Sequence, residues 1–205
     1  EEQLPQVDIY KYKQVIFVGD SRTEFMENVL KGMGGSAIKN VKFVCSAGKG
    51  LDWFATTGWA QLYSIVQHDS NSILAKKTAV IFNFGVNDLS KYKSYVEYYN
   101  WIAPQLNSRG CELYFMSVNP LNRLMLPNAG KADRSEAAVR SFNDYMKANL
   151  SSAYNYIDMY SYLKSTGYSF ASDHYGTGTI DDGLHYTTRT YKRIYAKCID
   201  SLKLH

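Results

Sequence analysis

The chain alternates short apolar runs with segments whose apolar residues recur every three or four positions. This is the pattern of strands buried on both faces and separated by amphipathic helices. Gln14–Gly19, Val41–Cys45, Thr78–Phe84 and Cys111–Val118 are runs of the first kind, and Tyr154–Met159 is a weaker fifth. Tyr92, Tyr95, Val96, Tyr99, Ile102, Ala103 and Leu106 form one helical stripe, and Val139, Phe142, Met146 and Leu150 form another. Tyr191, Ile194, Tyr195, Cys198 and Leu202 form the last, with Thr187 or Thr188 as its N-cap. Thr23–Leu30 is compatible with a helix, and so is the stretch before the polar segment Gln67–Ser72. The alternation predicts an α/β fold with right-handed crossovers and a mainly parallel sheet covered on both faces. Residues 1–13 read as a surface lead-in to a single domain over 14–205, with long loops at 119–134 and 166–184.

Composition narrows the class. A chain of 205 residues suits one domain, and 45% apolar with 20% charged residues excludes a disordered or collagen-like polymer. No apolar run approaches the ~20 residues that span a bilayer. The net charge of +4 comes from 23 basic and 19 acidic residues, and the longest basic clusters are pairs such as Lys76-Lys77 and Lys192-Arg193. That spread argues against a nucleic-acid partner. Cys45, Cys111 and Cys198 cannot all pair and lack a CxxC spacing, so free buried thiols are expected. The opening Glu1-Glu2-Gln3-Leu4-Pro5 reads as a processed or trimmed end, compatible with a removed signal peptide.

In parallel sheets, ligands bind beyond the carboxyl ends of the strands, so the residues there are the candidates for chemistry. After the first strand comes Gly19-Asp20-Ser21-Arg22, which places Ser21 at a strand-to-helix turn in the positive field of a helix N-terminus. Taken alone, Ser21 or Asp20 is as readily a helix cap. After the second comes Ser46-Ala47-Gly48-Lys49-Gly50, where a glycine either turns the chain or lets an amide approach a ligand. This segment lacks the Walker A spacing, and Gly32-Met33-Gly34-Gly35 opens no helix after a strand, so nucleotide binding is disfavoured. After the third comes Gly85-Val86-Asn87-Asp88, where Asn87 is either a side-chain N–H donor or an Asx-turn residue.

Near the C-terminus, Asp182 precedes His185 by three residues and can accept from its Nδ1–H, leaving Nε2 free as a base. Of the other histidines, His205 is terminal, His68 lies in a polar stretch, and His174 is the rival base. A zinc site from His174, Asp182 and His185 has no recognised ligand spacing, so no metal is expected. Asp158 is the alternative acid partner, while Asp20 and Asp88 are expected to brace their loops.

Gly19-Asp20-Ser21, Gly48, Gly85-Val86-Asn87-Asp88 and Asp182-x-x-His185, in this order from Val15 to Ile199, resemble the four signature blocks of the SGNH (GDSL-type) hydrolases. The first block reads G-D-S-R rather than G-D-S-L, which leaves the nucleophile untouched but weakens any inference of a lipid substrate. Gly19-Asp20-Ser21-Arg22-Thr23, Ser117-Val118-Asn119-Pro120 and Asp182-Gly183-Leu184-His185-Tyr186 are similar to a branch common in clostridia and related Gram-positive bacteria. The resemblance implies a three-layer α/β/α sandwich with a five-stranded, flavodoxin-like sheet and no cofactor. It implies a Ser21–His185–Asp182 triad, with an oxyanion hole from the Ser21 and Gly48 amides and Asn87; Gly50 is the reserve for Gly48. Arg22, Gly50, Trp53 and Asn119 are expected near substrate, although core packing is an equal expectation for Trp53. The implied substrate is a short acyl ester, such as an O-acetyl group on a small molecule or polysaccharide, at the cell surface or outside the cell. The protein is expected to be a monomer. An O-acyltransferase and a non-catalytic carbohydrate-binding protein remain the alternatives, while Asp20 and Arg22 fit an FMN phosphate site poorly.

Overall fold

The computed structural model describes residues 3–32, 38–131 and 133–202. Met33, Gly34 and Gly35 of the glycine-rich segment, and His205, lie outside the described residues. Five strands, β1 (Tyr12–Gly19), β2 (Val41–Cys45), β3 (Lys77–Asn83), β4 (Cys111–Met116) and β5 (Tyr154–Ile157), form one sheet in the order β2-β1-β3-β4-β5. Every pairing is parallel. The helices are α1 (Ser21–Gly32), α2 (Leu51–Trp53), α3 (Trp59–Val66), α4 (Tyr92–Asn107), α5 (Glu136–Asn149), α6 (Met159–Thr166) and α7 (Thr188–Leu202). A π-helical segment, Phe54–Gly58, joins α2 to α3.

The central strands are apolar throughout because alternate residues enter two different cores. Ile16, Val18, Val80, Phe82, Leu113 and Phe115 face one side, where they pack with Phe54, Leu62, Tyr99, Leu106, Phe142 and Met146. Val15, Phe17, Ala79, Ile81, Tyr114 and Met116 face the other and pack with residues of α1, α6 and α7. The result is the expected three-layer α/β/α sandwich. α1 covers one face and α3 the other, so the connections leaving β1 and entering β3 diverge and open a crevice at the carboxyl edge between these strands.

Several boundaries differ from those the apolar pattern suggests: β3 runs Lys77–Asn83 rather than Thr78–Phe84, and β4 stops at Met116 rather than Val118. The fifth strand stops at Ile157 rather than Met159, because the Asp158 side chain accepts the Ser161 amide at 3.1 Å and starts α6. The lead-in is also more than surface. Leu4 and Val7 are buried in the α1/α7 core, the Tyr195 hydroxyl donates to the Pro5 carbonyl at 3.0 Å, and β1 begins at Tyr12. All three cysteines are free; Cys111 and Cys198 are buried and Cys45 is half-buried.

Candidate active site

The crevice gathers side chains from three separate parts of the chain. Ser21 is the first residue of α1, and His185 lies in the loop before α7. Although 164 positions apart, His185 Nε2 stands 2.9 Å from Ser21 Oγ. The other ring nitrogen, Nδ1, lies 2.6 Å from Asp182 Oδ2. The second carboxylate oxygen of Asp182 accepts the amides of Leu184 and His185 at 2.9 and 2.8 Å, which folds the Asp-x-x-His segment into a tight turn. Burial alone would push the Asp182 carboxyl up, but the bonds from the His185 ring and these two amides outweigh it and hold the carboxyl below its ordinary value. Asp182 is therefore an anion facing Nδ1, which makes Nδ1 the protonated nitrogen and Nε2 the one able to accept.

Phe25 fixes the plane of the imidazole. Its ring stacks on His185 at 4.3 Å and also on His174 at 4.5 Å. Among the described residues no three His, Cys, Asp or Glu side chains cluster as a metal site. Asp158, the alternative acid, is used as the cap of α6.

Asn87 lies in the loop after β3 and joins it to the loop after β2. Its Nδ2 donates to the Lys49 carbonyl at 2.8 Å, and its Oδ1 accepts from Arg134 Nη2 at 3.0 Å. Asp88 braces the same loop, accepting the Leu51 amide at 2.9 Å and the Tyr95 hydroxyl at 2.6 Å. Asp20 similarly accepts the Arg22 amide at 3.0 Å. Among the described residues the amides of Ser21 and Gly48 meet no acceptor.

The two glycines after β2 sit in different surroundings. Gly48 has φ +73° with open space around the position of a Cβ, whereas a Cβ on Gly50 would lie 2.3 Å from Asp88 Oδ2. Close approach of that carboxylate is what requires glycine at 50.

Other expected substrate contacts are placed differently. Arg22 is buried beneath the site: Nε donates to the Leu184 carbonyl at 2.8 Å, Nη1 to Asn119 at 2.7 Å and Nη2 to Pro120 at 2.8 Å. Its guanidinium also lies over the Tyr186 ring, 4.9 Å from the centroid. Asn119 is buried too. Arg22 braces the crevice and is withdrawn from substrate, because its donors face backbone carbonyls, whereas among the described residues the Asn119 Nδ2 meets only Met116 Sδ at 3.9 Å. Trp53 is half-buried, packed against the core with its ring 6.2 Å from Phe84. A cavity of about 600 Å³ opens on the Arg134 side of Asn87, lined also by Tyr92, Phe142 and Tyr145. Arg134 and Phe25 were not legible as site residues, since neither sits in a motif.

The sequence model of the GDSL-like Lipase/Acylhydrolase family matches residues 15–198. The chain belongs to this family. Like its fellow GDSL-like members, it is an enzyme of the carboxylic ester hydrolase class. Its fold is shared by solved structures of low identity. A protein of Slackia heliotrinireducens assigned to the SGNH hydrolases superposes with TM-score 0.63 at 12% identity, covering 95% of this chain and 100% of that one. The acetyl xylan esterase AlAXEase gives 0.60 at 13%, covering 92% and 99%. The C-terminal catalytic domain of peptidoglycan O-acetyltransferase A of Streptococcus pneumoniae, solved with a methylsulfonyl adduct, gives 0.50 at 15%, covering 95% and 92%. No curated protein sequence matches the chain significantly. Among the described residues of this GDSL-like hydrolase, no helix is long and apolar enough to cross a membrane.

Proposed function

We propose that this chain is a serine esterase that removes short acyl groups, O-acetyl above all, from a carbohydrate. The observation that carries the reading is the line from Ser21 Oγ through His185 Nε2 and Nδ1 to the Asp182 carboxylate, at 2.9 and 2.6 Å. As His185 takes the Ser21 proton, Oγ bonds to the ester carbonyl carbon and the carbonyl oxygen becomes an oxyanion. The Ser21 and Gly48 amides and Asn87 Nδ2 donate to that oxyanion. Collapse breaks the bond to the alcohol oxygen, which takes the proton from His185, and leaves an acyl group on Ser21. Water, deprotonated by the same imidazole, then releases the acid and restores Ser21.

The carbohydrate assignment is supported by likeness of fold to an acetyl xylan esterase and to a peptidoglycan O-acetyltransferase. The latter favours a second reading, in which a sugar hydroxyl replaces water and the acyl group is transferred. We place the protein outside the cell or at its surface, as a monomer with one catalytic domain over 14–205. Hydrolysis of p-nitrophenyl acetate tests the chemistry: Ser21→Ala should abolish turnover with the circular dichroism spectrum unchanged. Undiminished turnover in that variant would remove Ser21 from the reaction. Acetate release from acetylated xylan, mannan and peptidoglycan, with and without a sugar acceptor, tests the substrate and separates hydrolysis from transfer.

A further inference from the structure

Arg134 lies two residues before α5, in the second half of a long loop, and is 7% exposed. Its Nε donates to the Val86 carbonyl and its Nη2 to Asn87 Oδ1 at 3.0 Å. The third nitrogen, Nη1, is buried without a hydrogen-bond acceptor among the described residues, and Asp133 Oδ1 stands 3.8 Å from it. A buried cation with an orphaned donor is a poor stabiliser, since desolvation of both is costly. Its retention needs an explanation other than stability.

That explanation lies in Asn87. The two ends of a side-chain amide differ chemically, and the amide can be held either way round unless its neighbours discriminate. Here both do. A guanidinium only donates, so Oδ1 must face Arg134; a carbonyl only accepts, so Nδ2 must face Lys49. Nδ2 carries two N–H groups, and the Lys49 carbonyl takes one. The guanidinium charge on Oδ1 further polarises the amide and strengthens the remaining N–H as a donor.

We propose that Arg134 is a positioning residue that fixes the polarity of the Asn87 amide and thereby presents Nδ2–H to the oxyanion. The inference rests on the esterase reading above. It is tested by a double-mutant cycle on p-nitrophenyl acetate hydrolysis with Arg134→Met, Arg134→Lys, Asn87→Ala and the two combinations. Arg134→Met should lower kcat about 10- to 100-fold with KM within about twofold. Arg134→Lys, which retains a single charged donor, should fall between it and the wild type. In the Asn87→Ala background either change should cost less than about twofold, because no amide remains to orient.

A brace that merely holds the loop would lower the rate by the same factor in both backgrounds or raise KM, and either result overturns the proposal. If Arg134→Met does not fold, the Lys cycle decides by the same criterion. Full activity in Asn87→Ala would overturn both this inference and the role of Asn87 as oxyanion donor. An impaired Asn87→Ala with multiplying Arg134 effects would overturn the inference alone. Ser21→Ala, run alongside, reports on the esterase reading independently.

Discussion

Arg22 Nε donates to the carbonyl of Leu184 at 2.8 Å, so the residue after Ser21 holds the residue before His185. The same guanidinium reaches the carbonyls of Asn119 and Pro120 after β4. One planar cation thus ties the start of α1 to two loops at the carboxyl edge of the sheet, and a fork of fixed N–H directions suits three carbonyls as an ammonium cannot. Arg22→Leu, which restores the commoner residue of the family block, leaves the Leu184 and Asn119 carbonyls without donors, while Pro120 keeps only the Tyr186 hydroxyl. The expected loss is about 3–5 kcal/mol, a fall in Tm of roughly 10 °C. Arg22→Lys should lie between. Thermal unfolding and p-nitrophenyl acetate turnover check both, and an unchanged Tm in the Leu variant would show that the three bonds contribute nothing.

Asp182→Asn separates the two jobs of that carboxylate. The Asn Oδ1 can still accept the amides of Leu184 and His185, so the turn should persist. The other end becomes an N–H₂ facing His185 Nδ1, which drives the proton to Nε2 and leaves no base toward Ser21. A fall in kcat of about 10³–10⁴-fold with little change in Tm is expected. A tenfold effect or less would mean that the acid does not set the tautomer.

The parts legible in the sequence are those written in short-range patterns. The runs Gln14–Gly19 and Thr78–Phe84 read clearly because their centres, Val15–Val18 and Ala79–Phe82, are buried on both faces and so are apolar without a break. Asp182 and His185 were legible because they lie three positions apart and a single turn joins their side chains. Leu4 and Val7 were not: two isolated apolar residues have no period, and only the core between the sheet, α1 and α7 buries them. Arg22 misled for a related reason. An arginine beside a nucleophile suggests a substrate anion, whereas its acceptors here are backbone carbonyls, which leave no mark in the sequence. Arg134 meets Asn87 across 47 positions with no motif at its own end.

The two glycines after β2 should respond differently to alanine. At Gly48 the space is open and the left-handed φ of +73° is the only obstacle, costing about 1–2 kcal/mol while keeping the amide. At Gly50 the new methyl would meet the Asp88 carboxylate at 2.3 Å and push it off the Leu51 amide and the Tyr95 hydroxyl. Because Asp88 follows Asn87 directly, the oxyanion donor should shift with it. Gly50→Ala should therefore lose more than tenfold in kcat, against a few-fold for Gly48→Ala. Steady-state kinetics on both variants decide the matter, and a larger loss at Gly48 than at Gly50 would overturn the expected order.

Stability should fall as pH rises through the range in which Asp20 ionises. Burial raises this carboxyl to about 6, against the opposing pull of the Arg22 amide and guanidinium. In the unfolded chain the group ionises near the ordinary value of about 3.9. Between those two values the native state keeps a proton that the unfolded state has released, so unfolding becomes easier with rising pH. The sign is opposite for Asp182, whose carboxyl is held below its ordinary value. Its contribution is present above that ordinary value and is lost as pH falls through the native one. Asp20→Asn keeps an oxygen for the Arg22 amide and removes the ionisation. Relative to wild type it should be close to neutral at pH 4 and stabilising by on the order of 3 kcal/mol at pH 7. Urea unfolding at both pH values measures the difference. If the two proteins keep a constant offset from pH 4 to pH 7, Asp20 ionises in the folded chain as it does in the unfolded one, and the cost of its burial is met by Arg22 in full.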